Sequence, residues 1–160
     1  MQCELRIRPL EAERSVASRR VFRAGPGVRL QPLDWSPDGQ SILVEHLVAN
    51  EPQDIAVVSV RDESMRILTP IDWRGTTAFF SPDGRAVAFD FPPSDKGSQR
   101  DIFVMSLDGG GRIPAVAGPA NDVLMGWSPD GSHLLFASDR SGTTDLWAVP
   151  RSNGGAAGIP

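Results

Sequence analysis

Histidine, serine and aspartate are the residues here from which a reaction centre could be assembled. His46 and His133 are the only histidines. They lie ten and five residues past a turn serine, so they fall on opposite sides of the local strand alternation. A metal pair or a catalytic triad needs its members to converge, and this spacing does not bring them together. Each reads as a surface or edge histidine. Gly126-Trp127-Ser128-Pro129-Asp130-Gly131 has the outline of a nucleophile elbow. Gly-x-Ser-x-Gly, however, needs glycine where Asp130 stands, and Pro129 removes the amide an oxyanion hole would use. Asp139 and Asp145 flank Gly142 but lack the further acids and closing glutamate of a calcium loop, so the segment reads as a hairpin turn capped by Asp139. Asp108-Gly109-Gly110-Gly111 runs into Arg112-Ile113-Pro114, where no helix can open onto a phosphate. The sequence nominates no catalytic, cofactor-binding or metal-ligating residue.

The serine motif becomes legible once the elements around it are considered. Ser128-Pro129-Asp130-Gly131 is a tight reversal: proline fixes φ, aspartate bonds nearby amides and glycine takes positive φ. The motif recurs as Ser36-Pro37-Asp38-Gly39 and Ser81-Pro82-Asp83-Gly84, preceded by Trp35, Phe80 and Trp127, with the serines spaced 45 and 47 apart. Each copy is followed by an apolar strand (Ile42-Leu43-Val44, Ala86-Val87-Ala88-Phe89, Leu134-Leu135-Phe136-Ala137), a polar connection, and a further strand opening at Asp54, Asp101 or Asp145. A period in the mid-forties with three or four strands per unit is the sequence pattern of a propeller blade.

Composition sets wider bounds. The 160 residues are 40% hydrophobic and 22% charged, enough to bury a core. No apolar run approaches the roughly eighteen residues of a membrane span, and no apolar block of a secretory signal is seen at the N-terminus. Net charge is −4, divided between +3 over residues 1–34 and −7 over residues 35–160. The acidic bulk would repel a phosphate backbone, so no nucleic acid is expected as partner. Arg6, Arg8, Arg14, Arg19, Arg20, Arg23 and Arg29 are scattered and read as a solvated strand face. The lone Cys3 has no internal partner and leaves the redox compartment open.

Along the chain, Glu4 to Leu10 alternates polar and apolar residues and suits an exposed strand. Ser15 to Phe22 reads as a second strand, with an amphipathic helix over Leu10 to Arg20 as the alternative. Met65 to Thr69 alternates like an outermost strand. Pro114 cannot donate to a ladder and places Arg112 to Val116 on an edge too. Pro92 to Arg100 reads as a projecting loop. The expected division is residues 1–29 as a remnant of a preceding blade or an N-terminal extension, then blades at 30–70, 71–117 and 118–160. The fold class is all-β, a partial β-propeller of four-stranded antiparallel blades, about three complete or nearly complete plus a half.

Three Ser-Pro-Asp-Gly motifs in register, each with an aromatic before it and an Asp-Ile or Asp-Leu strand after it, resemble the TolB-like propeller repeat. That repeat is also found in the N-terminal propellers of dipeptidyl peptidase IV and prolyl oligopeptidase relatives. The resemblance covers residues 30 to 155. It implies a non-catalytic module, without cofactor, that binds a protein or peptide, and a periplasmic or extracellular location, with the cytoplasm left open. The alternative is the gating propeller of a serine peptidase whose hydrolase domain lies outside this chain. Trp35, Phe80 and Trp127 are expected to wedge between neighbouring blades. Three units and a half fall short of the roughly four to eight blades of a closed ring, so missing blades or self-association is expected.

Overall fold

The computed structural model describes residues 2–9, 17–71, 75–93, 97 and 99–151. Every regular element among them is a β-strand. The chain divides into two compact units, Met1–Asp72 and Trp73–Pro160.

In the first unit, β1 (Glu4–Ile7) and β2 (Arg19–Arg23) form a two-stranded sheet. β3 (Val28–Trp35), β4 (Ser41–Val48), β5 (Asp54–Ser59) and β6 (Met65–Pro70) follow as a four-stranded antiparallel sheet in sequence order. Alternation decides what each face meets. Ile42, Val44, Ala56 and Val58 pack with Leu5 and Val21 of the short sheet. Glu4 of β1 forms ion pairs instead, meeting Arg6 at 2.7 Å and Arg23 at 2.9 Å. Most of the helical alternative over Leu10 to Arg20 lies outside the described residues; its end, Arg19 and Arg20, is strand.

In the second unit, β7 (Ala78–Phe80), β8 (Ala86–Phe91), β9 (Asp101–Ser106) and β10 (Ile113–Val116) form another four-stranded antiparallel sheet. β11 (Asp122–Trp127), β12 (His133–Ser138) and β13 (Asp145–Pro150) form a sheet with three strands among the described residues. β10 is an edge strand, where Pro114 leaves no ladder amide missing. The two sheets share one core: Ala88, Ile102 and Val116 on one side, Leu124, Leu134, Phe136 and Val149 on the other. The architecture is that of a partial propeller, built from consecutive antiparallel sheets.

The three Ser-Pro-Asp-Gly turns are near copies of one another. The glycine amide donates to the serine carbonyl, Gly39 to Ser36 at 2.9 Å and Gly84 and Gly131 to Ser81 and Ser128 at 2.8 Å. The serine hydroxyl donates to the aspartate, from Ser36 to Asp38 and from Ser128 to Asp130 at 2.6 Å, and from Ser81 to Asp83 at 2.5 Å. The same hydroxyl accepts the amide five residues on, from Ser41, Ala86 and His133. Serine thus joins aspartate as a working part of the turn, satisfying donors that a tight reversal would leave unpaired. Gly131 has a second constraint besides its φ of 70°: an added Cβ would stand 3.4 Å from Cδ of Pro82.

The aromatic before the turn behaves differently in the three copies. Phe80 is buried, and Trp127 lies half-buried against the second unit's core with Nε1 donating to the Phe79 carbonyl at 3.3 Å. Trp35 is 46% exposed, which corrects the expectation of a wedge there. Its indole Nε1 lies 3.9 Å from where a Cβ on Gly39 would stand, so the ring runs along its own turn.

Candidate functional site

The residues that looked chemical in the sequence are engaged in local structure. His46 Nδ1 lies 3.2 Å from Asp54 Oδ2, its direct cross-strand neighbour. His133, in the other unit, lies 2.7 Å from Ser132 Oγ, and Ser132 in turn reaches Asp130 at 2.7 Å. The residue types are those of a hydrolase triad, but the order is wrong. In a triad the carboxylate orients the histidine and the histidine takes the serine proton. Here the serine hydroxyl donates its hydrogen bond to the carboxylate rather than to the histidine, so the arrangement is not that of a triad. Among the described residues no three His, Cys, Asp or Glu side chains stand close enough to hold a metal ion.

The hairpin between β12 and β13 corrects one sequence reading. The Asp139 carbonyl accepts the Gly142 amide at 2.8 Å and closes the turn, but its Oδ1 accepts the Asn121 amide at 2.9 Å, on the connection before β11, so its side chain does not cap that turn. Asp145 does that, accepting Ser141 Oγ at 2.5 Å and Thr143 Oγ1 at 3.1 Å.

Sequence reasoning missed the most constrained acid, Asp90, which stands fully buried near the end of β8. Its Oδ1 accepts the Thr77 amide and Arg100 Nη1, each at 3.0 Å, and its Oδ2 accepts the Leu124 amide on β11 at 2.9 Å. One carboxylate therefore ties its own sheet to the next. Burial pushes its pKa up, opposed by the Thr77 and Leu124 amides and by Arg100. Glu45 occupies the same place nine residues past its turn serine and is also buried. An acid inside an otherwise apolar strand, repeated at that offset, is the signal that could have revealed both. In the third copy Ala137 stands there, and the buried acid of that sheet is Asp122, 2.8 Å from Arg140 Nη2. Arg140 also lies over the rings of Phe136 and Trp147, with its guanidinium carbon 5.0 and 5.3 Å from their centroids.

The turn acids shift the opposite way. The Ser64 hydroxyl, then the Ser59 hydroxyl, hold Asp62 at about 2. The Ser81 hydroxyl and the Arg85 amide hold Asp83 at about 2. A carboxylate depressed on folding contributes stability above its unfolded value and loses it as pH falls through the folded one. The expected thermal stability therefore drops as pH falls from 3.8 toward about 2. Solvent screening keeps each contribution small. Asp90 works in the other direction, because its raised value makes the folded state gain from protonation. Melting curves against pH, repeated on Ser81→Ala, test this: with the folded value of Asp83 closer to 3.8, the variant should lose less stability between 3.8 and about 2, and an unchanged profile would refute the assignment.

One face of the β11–β13 sheet is apolar rather than ionic. Leu124, Leu134, Phe136 and Val149 point to the core, so Val123, Leu135, Ala137, Leu146 and Ala148 fall on the other face. Leu146 is 70% exposed and Met125 56%. Met125 is turned out by a bulge at Gly126, whose φ of 140° suits glycine. An apolar face of this kind is suited to protein contact rather than to catalysis.

Residues 35–159 match the model of a family described as the TolB beta propeller domain. The Tol-Pal system protein TolB of Anaeromyxobacter dehalogenans (strain 2CP-1) is 37% identical over 96 residues, covering 58% of this chain and 20% of that protein. The chain thus spans about a fifth of the length of the curated relatives it matches. A putative TolB from Agrobacterium tumefaciens aligns with a TM-score of 0.69 at 22% identity, over 92% of this chain and 51% of that one. The tricorn protease aligns with a TM-score of 0.65 at 16% identity, over 88% and 15%. At such identities the solved structures report the fold alone.

Proposed function

The chain belongs to the TolB β-propeller domain family, and from that premise we propose that it serves as a non-catalytic module that binds a protein or peptide in the periplasm. In this reading residues 30–70, 71–117 and 118–160 act as successive blades and residues 1–29 as a remnant of a preceding one. The observation that carries the binding role is the exposed pair Met125 and Leu146 on an apolar sheet face. The curated relatives belong by name to the Tol-Pal system, so the partner is sought among that system's proteins. Fold likeness to a protease leaves the gating reading as the alternative, and it requires a hydrolase domain in the same protein. A peptidase assay on the whole protein separates the two.

The test is calorimetric titration of the chain with purified Tol-Pal components, followed by Leu146→Asp. Placing a charge on a desolvated apolar contact should weaken binding about tenfold or more. Heat of binding with none of the components, or equal affinity for the variant, would overturn the proposal.

A further inference from the structure

The sequence contains four Asp-Gly pairs: Asp38-Gly39, Asp83-Gly84, Asp108-Gly109 and Asp130-Gly131. We propose that Asp108-Gly109, in the turn between β9 and β10, is a site of spontaneous isoaspartate formation from which the other three pairs are protected by their turns. In this reaction the Gly109 nitrogen attacks Cγ of Asp108. An N–Cγ bond forms, the Cγ–OH bond breaks and one water leaves, giving a succinimide. Water then adds back at either carbonyl. Opening at the backbone carbonyl yields isoaspartate, with the main chain running through the side chain and no net change of mass. No oxidant or cofactor takes part. Glycine favours the step because no side chain shields its nitrogen.

All four aspartates are exposed, so access does not distinguish them. Hydrogen bonding does. In each Ser-Pro-Asp-Gly turn the attacking amide is held by the serine carbonyl, at 2.8 to 2.9 Å. The carboxylate under attack is held as well, by the serine hydroxyl and by the amide two residues on, from Gln40, Arg85 or Ser132, each at 3.0 Å. The serine hydroxyl is the first cause keeping all three carboxyls below their ordinary range, and hence in the anionic form that resists attack. Asp108 lacks the second restraint among the described residues. Residues 107–108 form a hydrogen-bonded turn that gives the Gly109 amide an acceptor, and the Asp108 amide donates to Ser106 Oγ at 3.3 Å, but nothing among the described residues holds the Asp108 carboxylate. Gly109 sits at φ 117° in an exposed glycine run, with no heavy atom within 4 Å of where a Cβ would stand.

The whole chain is aged at neutral pH with and without urea, digested with trypsin, and read by fragmentation that separates isoaspartate from aspartate. Asp108 falls in the peptide Asp101–Arg112 and Asp83 in Gly75–Arg85, so the sites separate cleanly. Asn153-Gly154, outside the described residues, is distinguished by the mass change of deamidation. In the folded chain isoaspartate should build up at Asp108 about tenfold faster than at the other three, the factor that one lost hydrogen bond of about 1.4 kcal/mol confers. In urea the four rates should converge. Isoaspartate methyltransferase should label the peptide Asp101–Arg112 of the aged native chain and fail to label the same peptide of Asp108→Glu. Equal rates at the four sites in the folded chain, faster conversion at any Ser-Pro-Asp-Gly turn, or no native conversion at Asp108 while urea permits it, would each overturn the proposal.

Discussion

Replacing Asp90 by alanine is expected to cost about 3–5 kcal/mol, among the largest single effects in the chain. Much of that comes from two backbone amides, Thr77 and Leu124, which lose the buried acceptor they share and cannot themselves be removed by mutation. Arg100 adds less, because its side chain keeps 22% exposure and can turn to water. The raised pKa is consistent with this. The buried charge is not comfortable in itself, and it is retained because the amides around it need an acceptor. Asp90→Asn should fall between the two, since one amide oxygen can serve one donor while the NH₂ group faces another. Urea unfolding of both variants checks the order. An alanine variant within about 1 kcal/mol of the parent would mean the carboxylate is not the clasp described.

Trp127→Ala is expected to cost about 3 kcal/mol, near the low end for a large aromatic because the ring is half rather than fully buried. Three contacts disappear together: packing against the core of the second unit, the Nε1 bond to Phe79, and the stacking of Arg151, whose guanidinium carbon lies 5.2 Å from the ring centroid. Arg151 also reaches Asp83 Oδ2 at 3.0 Å, so losing its platform loosens a neighbouring turn. Trp35→Ala provides the internal contrast. The residue occupies the same place in its repeat, but it is 46% exposed and packs in no core cluster among the described residues, and the expected cost is below about 1 kcal/mol. If the two substitutions cost the same in a denaturant series, repeat position rather than packing would govern stability.

The turns and strands were legible because their causes are local. Proline, aspartate and glycine in fixed order specify a reversal wherever they occur, and Pro114 on an edge follows from its missing amide. What the sequence did not show depends on how one sheet lies on another. The Leu124 amide is 34 residues from Asp90, and no periodicity announces that partnership. Trp35 and Trp127 read alike because they precede identical turns, yet only the folded chain decides how much of each ring is covered. Asp139 and Asp145 were confused for the same reason: both flank one turn, and only the strand directions show which carboxylate faces it.

The account rests on repeated turns and buried acids acting as structural joints rather than as a reaction centre, and Asp90 is where that claim is most exposed. Amide hydrogen exchange at Leu124, measured in the parent and in Asp90→Ala, tests it directly. The structure predicts slow exchange in the parent and a marked acceleration in the variant, with the amides of β4 and β5 unchanged. Fast exchange at Leu124 in the parent, or the same rate in both proteins, would contradict it.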